Sequence, residues 1–399
     1  MTDWIISQPT KKKRGRKRGF KMPQRVGDGT KAMTGTERSR RHREKRRAEN
    51  PTKALPPCPR LIPGPLTAQV KTDSFVRRYI DECFPNLKDT VRSCNRRLRE
   101  QGLIEQKQVH SERVVAMLVG TAVDYRIRGY FCRDLLQSGA VANGFRVLQA
   151  LPEYRKVTRL NSELEKIETA ENIWYKRRPE KISGKLIAAF KKFVSAVKPE
   201  RRRLRSRSEN QLCRYCILFA YLDWIGRAPY ANSALEIMVC MGTPNIAKML
   251  SYVDPKIVAD VIALSKLFGQ RQGELITKFR KASFGGNFAG SGDVGGADFD
   301  LLVDGCLIDV KATRKSVITT TNLRQLMGYW LLDYDDSLKI CSIAIYLARH
   351  GHMEVFDINR DVLEGEKLPA VLRARFQKQI RKLKRIQSGK VPATVPDYH

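Results

Sequence analysis

Between Ala297 and Ala312 apolar and polar residues alternate in two short runs, Ala297–Val303 and Cys306–Ala312, separated by Asp304-Gly305. An Asp-Gly pair between alternating runs predicts a β-hairpin, because both turn residues must take positive φ. A two-residue turn also sets the register: Val303 opposes Cys306, Leu301 opposes Ile308, Asp300 opposes Asp309, and Asp298 opposes Lys311. Opposed residues share a face that repeats every second residue. Asp298, Asp300, Asp309 and Lys311 therefore line one face, with the Asp300 and Asp309 Cβ atoms roughly 5 Å apart. Phe299, Leu301, Val303, Ile308 and Val310 form the apolar face.

Helical spacing surrounds the hairpin. Asp254–Ser283 reads as one long helix, capped by Asp254 with Pro255 in its first turn. Ile257, Val261, Leu264, Leu267, Phe268, Leu275, Ile276 and Phe279 form its buried side, with Glu274 among them. After the hairpin come a helix, Asn322–Asp333, two strands, Ile340–Ala348 and Met353–Ile358, and a basic helix, Leu368–Ile386. Upstream, Asp73–Leu151 reads as helical. Its segment Ser111–Phe131 carries an apolar stripe of Val114, Leu118, Val119, Ala122, Val123 and Ile127. Arg113, Arg126 and Arg128 are expected to be solvated beside it. Lys181–Val197 is a basic amphipathic helix, Glu209–Ile225 is apolar enough to be buried, and Ser233–Tyr252 continues the helical region.

Charge changes the picture. The 399 residues carry a formal charge of +34 and a pI near 10.1, which points to a polyanion partner, most simply nucleic acid. No apolar run approaches the roughly 18 residues of a spanning helix, so no membrane partner is expected. No apolar core of a signal peptide is read at the N-terminus either. Nine cysteines, an odd number, suit reduced thiols better than a disulfide framework. The expected location is cytoplasmic and nucleic-acid-associated. Residues Met1–Lys53 hold 18 Lys and Arg against 5 Asp and Glu. The run Lys11, Lys12, Lys13, Arg14, Arg16, Lys17 and Arg18 has no apolar period and would bind phosphates without reading sequence. Arg201, Arg202 and Arg203 form a second basic cluster, expected in a loop over a bound strand. Arg314 and Lys315, just past the hairpin, are placed for phosphate contacts.

Adjacent carboxylates on a sheet face repel each other unless a cation lies between them. Oxygen ligands suit a hard divalent ion, Mg²⁺ first, with Mn²⁺ as the alternative. Lys311 is placed to hold or deprotonate an attacking water. Other motifs carry less. Cys213-Arg-Tyr-Cys216 has no second pair for zinc and reads as core. His350 and His352 sit on a turn with no carboxylate expected nearby. The glycine-rich run Phe284–Gly296 lacks a Gly-Lys-Ser/Thr ending and reads as a flexible connection that lets substrate approach, with Asp293 unassigned.

The ordered set Glu274, Asp298 or Asp300, Asp309-Val-Lys311 and Gln325-Leu-Met-Gly-Tyr329 resembles the PD-(D/E)XK nuclease superfamily, in particular its RecB-like branch with a Gln-x-x-x-Tyr element. Gln325 and Tyr329 lie four apart and share a helical face. The resemblance spans Lys256–Ile358. It implies an α/β (α+β) fold with an αβββαβ restriction-endonuclease-like core. It also implies Mg²⁺ held by Asp309 with Asp298 or Asp300 and by Glu274, Lys311 positioning water, and Gln325 and Tyr329 orienting the substrate backbone. The Gly-x-x-Asp pattern favours Asp298 and hairpin geometry favours Asp300, so both are carried. The expected organisation is a disordered basic tail (1–57), a mostly helical nucleic-acid-binding or accessory domain (58–250), the nuclease-like domain (251–360), and a basic C-terminal helix and tail (361–399). The expected function is metal-dependent hydrolysis of DNA. The alternative is a non-catalytic nucleic-acid-binding or packaging protein, as of a mobile element, on a nuclease-like fold.

Overall fold

The computed structural model describes residues 60–108, 112–132, 134–137, 139–146, 179–200, 204–227, 246–363 and 368–388. The basic run at 11–18 and Arg201–Arg203 lie outside them. Helices α1 (Phe75–Cys83), α2 (Leu87–Glu100), α3 (Arg113–Phe131), α4 (Pro179–Val197), α5 (Ser206–Arg227), α6 (Ile246–Ser251), α7 (Pro255–Arg271) and α8 (Gly273–Lys278) precede β1 (Ala282–Phe284). Then follow β2 (Leu301–Val303), β3 (Cys306–Lys311), α9 (Thr320–Leu332), β4 (Ser342–Leu347), β5 (His352–Asp357) and α10 (Pro369–Gln387).

The strands make a five-stranded mixed sheet in the order β1-β2-β3-β4-β5. Neighbours are antiparallel except β3 and β4, which run parallel. A parallel pair needs a crossover between its strands, and α9 supplies it. Thr319 and Asn322 start that helix with a reciprocal capping box, which satisfies two amide donors that the first turn leaves open.

The hairpin forms in the expected register, with Val303 opposite Cys306 and Leu301 opposite Ile308. Asp304 and Gly305 both take positive φ, +48° and +82°. The Asp304 carboxylate accepts from the amides of Arg280 and Lys281, which fixes an otherwise unfavourable backbone. Gly305 has a second reason to be glycine: a Cβ there would stand 2.9 Å from the Lys339 carbonyl oxygen.

Both faces of the sheet are buried. Along β4, Ile343, Ile345 and Leu347 join one apolar cluster, and Ala344 and Tyr346 join the other. The first cluster includes α1, α2, α9 and α10; the second includes α3, α4, α5 and α7. The described helices before residue 250, the sheet and α10 pack into these two apolar clusters.

Several expectations change here. The single helix Asp254–Ser283 is two helices and a strand, broken at Gln272. The first hairpin strand is shorter than Ala297–Val303, with only an isolated antiparallel bridge between Asn287 and Asp298 ahead of β2. The expected polar face also buries Leu302 and Leu307 under α9. Arg113 is exposed, but Arg126 and Arg128 are buried rather than solvated. Arg126 makes a two-pronged contact with Glu209 on α5 at 2.7 and 2.9 Å. The glycine-rich run is pinned: Asp293 takes Lys384 at 2.9 Å, and Phe288 and Val294 are buried. His352 does have a carboxylate neighbour, Glu354 at 3.1 Å. Cys213 and Cys216 are buried in α5, and burial pushes both thiols up.

Candidate active site

One end of the hairpin gathers the charged groups. Asp309 and Lys311 leave β3 on the same face, two residues apart. Lys311 Nζ hydrogen-bonds Asp309 Oδ1 at 2.8 Å and stands 2.7 Å from Oδ2 without a hydrogen bond to it. Asp309 is 3% exposed, so its Oδ2 is a buried carboxylate oxygen lacking a hydrogen-bond partner among the described residues. Burial pushes its carboxyl up to about 6, with Lys311 opposing and Asp300 adding to the rise. Burial works against the Lys311 charge, but Asp309 and Asp300 outweigh it and hold the ammonium above its ordinary range. Lys311 is therefore a cation as it stands, suited to holding a water or a phosphate oxygen rather than to taking a proton.

Asp300 precedes β2 and keeps the hairpin alignment by side chain: its Oδ2 accepts from the Val310 amide at 3.1 Å. Its Oδ1 lies 3.5 Å from Arg128 Nη2. Asp298 takes a different partner, Arg227, at 2.8 Å to Oδ2 and 3.5 Å to Oδ1. From α9, Gln325 Nε2 donates to the Tyr329 hydroxyl at 2.9 Å. Tyr329 stacks on Phe288, with ring centroids 5.1 Å apart and planes 15° apart. Burial first, then the charges of Asp300 and Asp309, hold its hydroxyl proton on well above the usual range. The expected set of Asp298, Asp300, Asp309, Lys311, Gln325 and Tyr329 is thus brought to one region.

Glu274 is not brought there. It is 78% exposed on α8 and pairs with Lys278 four residues on. Its helix leads into β1 where Ala282 opposes Val303, which is the turn end of the hairpin, away from Asp309. Helix α7, the first part of the segment expected as one helix, buries Asp260 against Arg349 at 2.8 and 3.0 Å. Arg314 and Lys315 are exposed just beyond β3, Arg314 contacting Glu105 at 3.2 Å.

Comparison with protein-family models, with curated proteins and with solved structures gives no match for this chain.

Four residues of the cluster were missed in the sequence. On α3, Asp124 holds Arg128 through a two-pronged contact, with Nε to Oδ1 at 3.0 Å. On α5, Asp223 holds Arg227, and the Tyr125 hydroxyl donates to Asp223 at 2.9 Å. Each arginine then reaches one hairpin aspartate. The signal was present: Asp-x-x-x-Arg follows a largely apolar stretch in both α3 and α5, and an aspartate buried there must be met by a neighbour such as the arginine four residues on. Burial, partly countered by Arg128, raises the Asp124 carboxyl well above its ordinary range.

With every carboxylate ionised, Asp124, Asp223, Asp298, Asp300 and Asp309 face Arg128, Arg227 and Lys311, a formal excess of two negative charges. The donor chemistry fits one hard divalent cation, and Asp309 Oδ2, although 2.7 Å from Lys311 Nζ, carries no hydrogen bond among the described residues. Among the described residues no three His, Cys, Asp or Glu side chains converge as a ready ligand shell. Asp300 and Asp309 would hold such an ion together with water, as Mg²⁺ commonly permits.

Proposed function

We propose that this protein is a metal-dependent nuclease that hydrolyses DNA phosphodiester bonds. The observation that carries the reading is Asp309. It is a buried carboxylate with one oxygen lacking a hydrogen bond, beside Asp300 and against Lys311 at one end of a sheet. A buried carboxylate set beside a second carboxylate and balanced by a single lysine is the kind of arrangement that clusters at functional sites. The order of elements around it, with a helix, three antiparallel strands, a crossover helix and a parallel strand, supports a PD-(D/E)XK-like core. The net charge of +34 supports a nucleic-acid substrate.

In this reading Asp300 and Asp309 hold the cation. Mg²⁺ or Mn²⁺ bound there supplies the Lewis acidity that polarises the phosphodiester and activates water. Lys311 holds the attacking water or a non-bridging phosphate oxygen. Tyr329, fixed by Gln325 and by stacking on Phe288, walls the site on the α9 side and limits solvent access. Arg314, Lys315 and the basic tail contact flanking phosphates. The water oxygen bonds to phosphorus, one phosphoester bond breaks, and the departing oxygen takes up a proton.

A second reading, a DNA-binding protein that does not cleave, is favoured by one observation: Lys311 already occupies the Asp309 carboxylate. Circular single- and double-stranded DNA incubated with Mg²⁺ or Mn²⁺ separates the two. Cleavage by wild type, lost in Asp309→Asn and Lys311→Ala variants that still bind DNA, supports the nuclease. Tight binding by wild type without cleavage of circles or linear ends supports the binder.

A further inference from the structure

Arg227 is the cation of this cluster that reaches solvent. Its side chain is 52% exposed, against 5% for Arg128 and 25% for Lys311. It is also held from beneath. Asp223, 8% exposed, grips its Nε, and the Tyr125 hydroxyl fixes that carboxylate. The guanidinium therefore has one edge anchored in the protein, and its two outer nitrogens meet Asp298, itself 36% exposed. A guanidinium offers the same fork to a carboxylate and to a phosphate. Asp298 contacts no other described cation, whereas Asp300 is fixed by the Val310 amide next to Asp309.

We propose that Arg227 is the phosphate-binding group of the site and that Asp298 is its resting partner, displaced when a nucleic-acid backbone phosphate docks. This rests on the nuclease reading for the nature of the ligand and divides the two hairpin aspartates. Asp300 works with Asp309, and Asp298 works with Arg227. At the guanidinium one negative partner replaces another, and the freed Asp298 carboxylate, 36% exposed at rest, turns to water.

The test uses the full chain and a short fluorescent single-stranded oligonucleotide in EDTA, so that neither metal nor cleavage enters. Salt is raised to about 0.3 M to weaken the tail's nonspecific contacts. Arg227→Ala should weaken binding roughly tenfold, with Arg227→Lys between it and wild type. Asp298→Asn should tighten binding several-fold, and that gain should vanish in the Arg227→Ala background, because Asp298 acts through Arg227. In a separate Mn²⁺ titration by calorimetry, Asp298→Asn should bind the ion as wild type does and Asp300→Asn should not. The proposal is overturned if Arg227→Ala and Arg227→Lys bind the oligonucleotide like wild type. It is also overturned if Asp298→Asn tightens binding equally without Arg227, or if it loses Mn²⁺ as Asp300→Asn does. Failure of the nuclease reading shows separately, as wild type that never cleaves DNA while the oligonucleotide binding still responds to Arg227.

Discussion

Lys311 Nζ lies within 2.8 Å of both carboxylate oxygens of Asp309, although the two side chains leave the same strand two residues apart. Strand geometry puts them on one face, and the burial of Asp309 makes the contact consequential. The pair is a charge held in reserve beside Asp300 rather than a surface salt bridge. Its worth to the fold is small, because desolvating two ions largely offsets their attraction.

The first prediction follows from that balance. Lys311→Met and Asp309→Asn each leave a buried or half-buried polar group without its partner and should lower stability by about 1–3 kcal/mol. The neutral double variant should recover most of that loss, to within roughly 1 kcal/mol of wild type. In the proposed nuclease, all three should lower DNA cleavage on the order of 10²–10⁴-fold. Chemical denaturation and a plasmid-nicking assay read the two effects separately. A double variant less stable than either single would contradict the account.

Tyr329 offers a narrower test. Its hydroxyl takes the Gln325 amide at 2.9 Å, and its ring stacks on Phe288. Tyr329→Phe keeps the stack and loses one hydrogen bond, so about 1 kcal/mol of stability should go. If the hydroxyl helps to orient groups around Asp309, cleavage should fall about tenfold with DNA affinity unchanged. Equal activity in Tyr329→Phe would reduce the residue to packing.

The pH dependence of stability should show a buried carboxylate that stays charged. Burial pushes Glu209 up, but the Arg126 fork, Ser265 and Cys213 outweigh it and hold its carboxyl below the ordinary 4.5. A folded-state value below the unfolded one contributes stability that is fully present above pH 4.5 and is lost as pH falls below it. Wild type should therefore lose melting temperature steeply below about pH 4.5. Glu209→Gln, already destabilised by about 2–4 kcal/mol at pH 7, should lose less over the same range. Parallel melting curves for the two proteins between pH 3 and 5 would remove Glu209 from the acid transition.

The sequence made the hairpin legible because Asp304-Gly305 is local chemistry: positive φ at both residues needs no knowledge of the rest of the chain. The same holds for β4, β5 and α9, whose apolar runs and caps lie within a few residues. What was not legible is what joins distant segments. Arg349 and Asp260, buried together, are 89 positions apart, and Arg227 and Asp298 are 71 apart. Glu274 looked buried because the helix was read as continuous; the break at Gln272 turns it outward. Arg126 and Arg128 looked solvated because charge on a helix usually is, and only α5 beside α3 supplies the carboxylate that buries Arg126.

Gly226 ties the packing of α5 to the site, and its substitution is the most direct test of that link. A Cβ at Gly226 would stand 2.6 Å from the Ala140 carbonyl oxygen and 2.9 Å from the Gly144 amide nitrogen. The opposing contact is tighter still: a Cβ at Gly144 would fall 2.1 Å from the Leu222 carbonyl oxygen. These are backbone atoms, so no side-chain rotation relieves the clash, and the segment 139–146 must move away from α5. Asn143 Nδ2, which donates to the Gly226 carbonyl at 2.6 Å, would move with it. Gly226→Ala should therefore cost about 2–4 kcal/mol. Because Arg227 is the next residue, the same change should displace its guanidinium from Asp298 and weaken oligonucleotide binding in EDTA. Gly184→Ala is the control: it lies in α4 with open space around the new Cβ and should stabilise by roughly 0.5–1 kcal/mol. If Gly226→Ala melts like Gly184→Ala, the close approach of segment 139–146 to α5 is wrong. If it unfolds more easily yet binds the oligonucleotide as wild type does, that approach supports the fold without aiming Arg227.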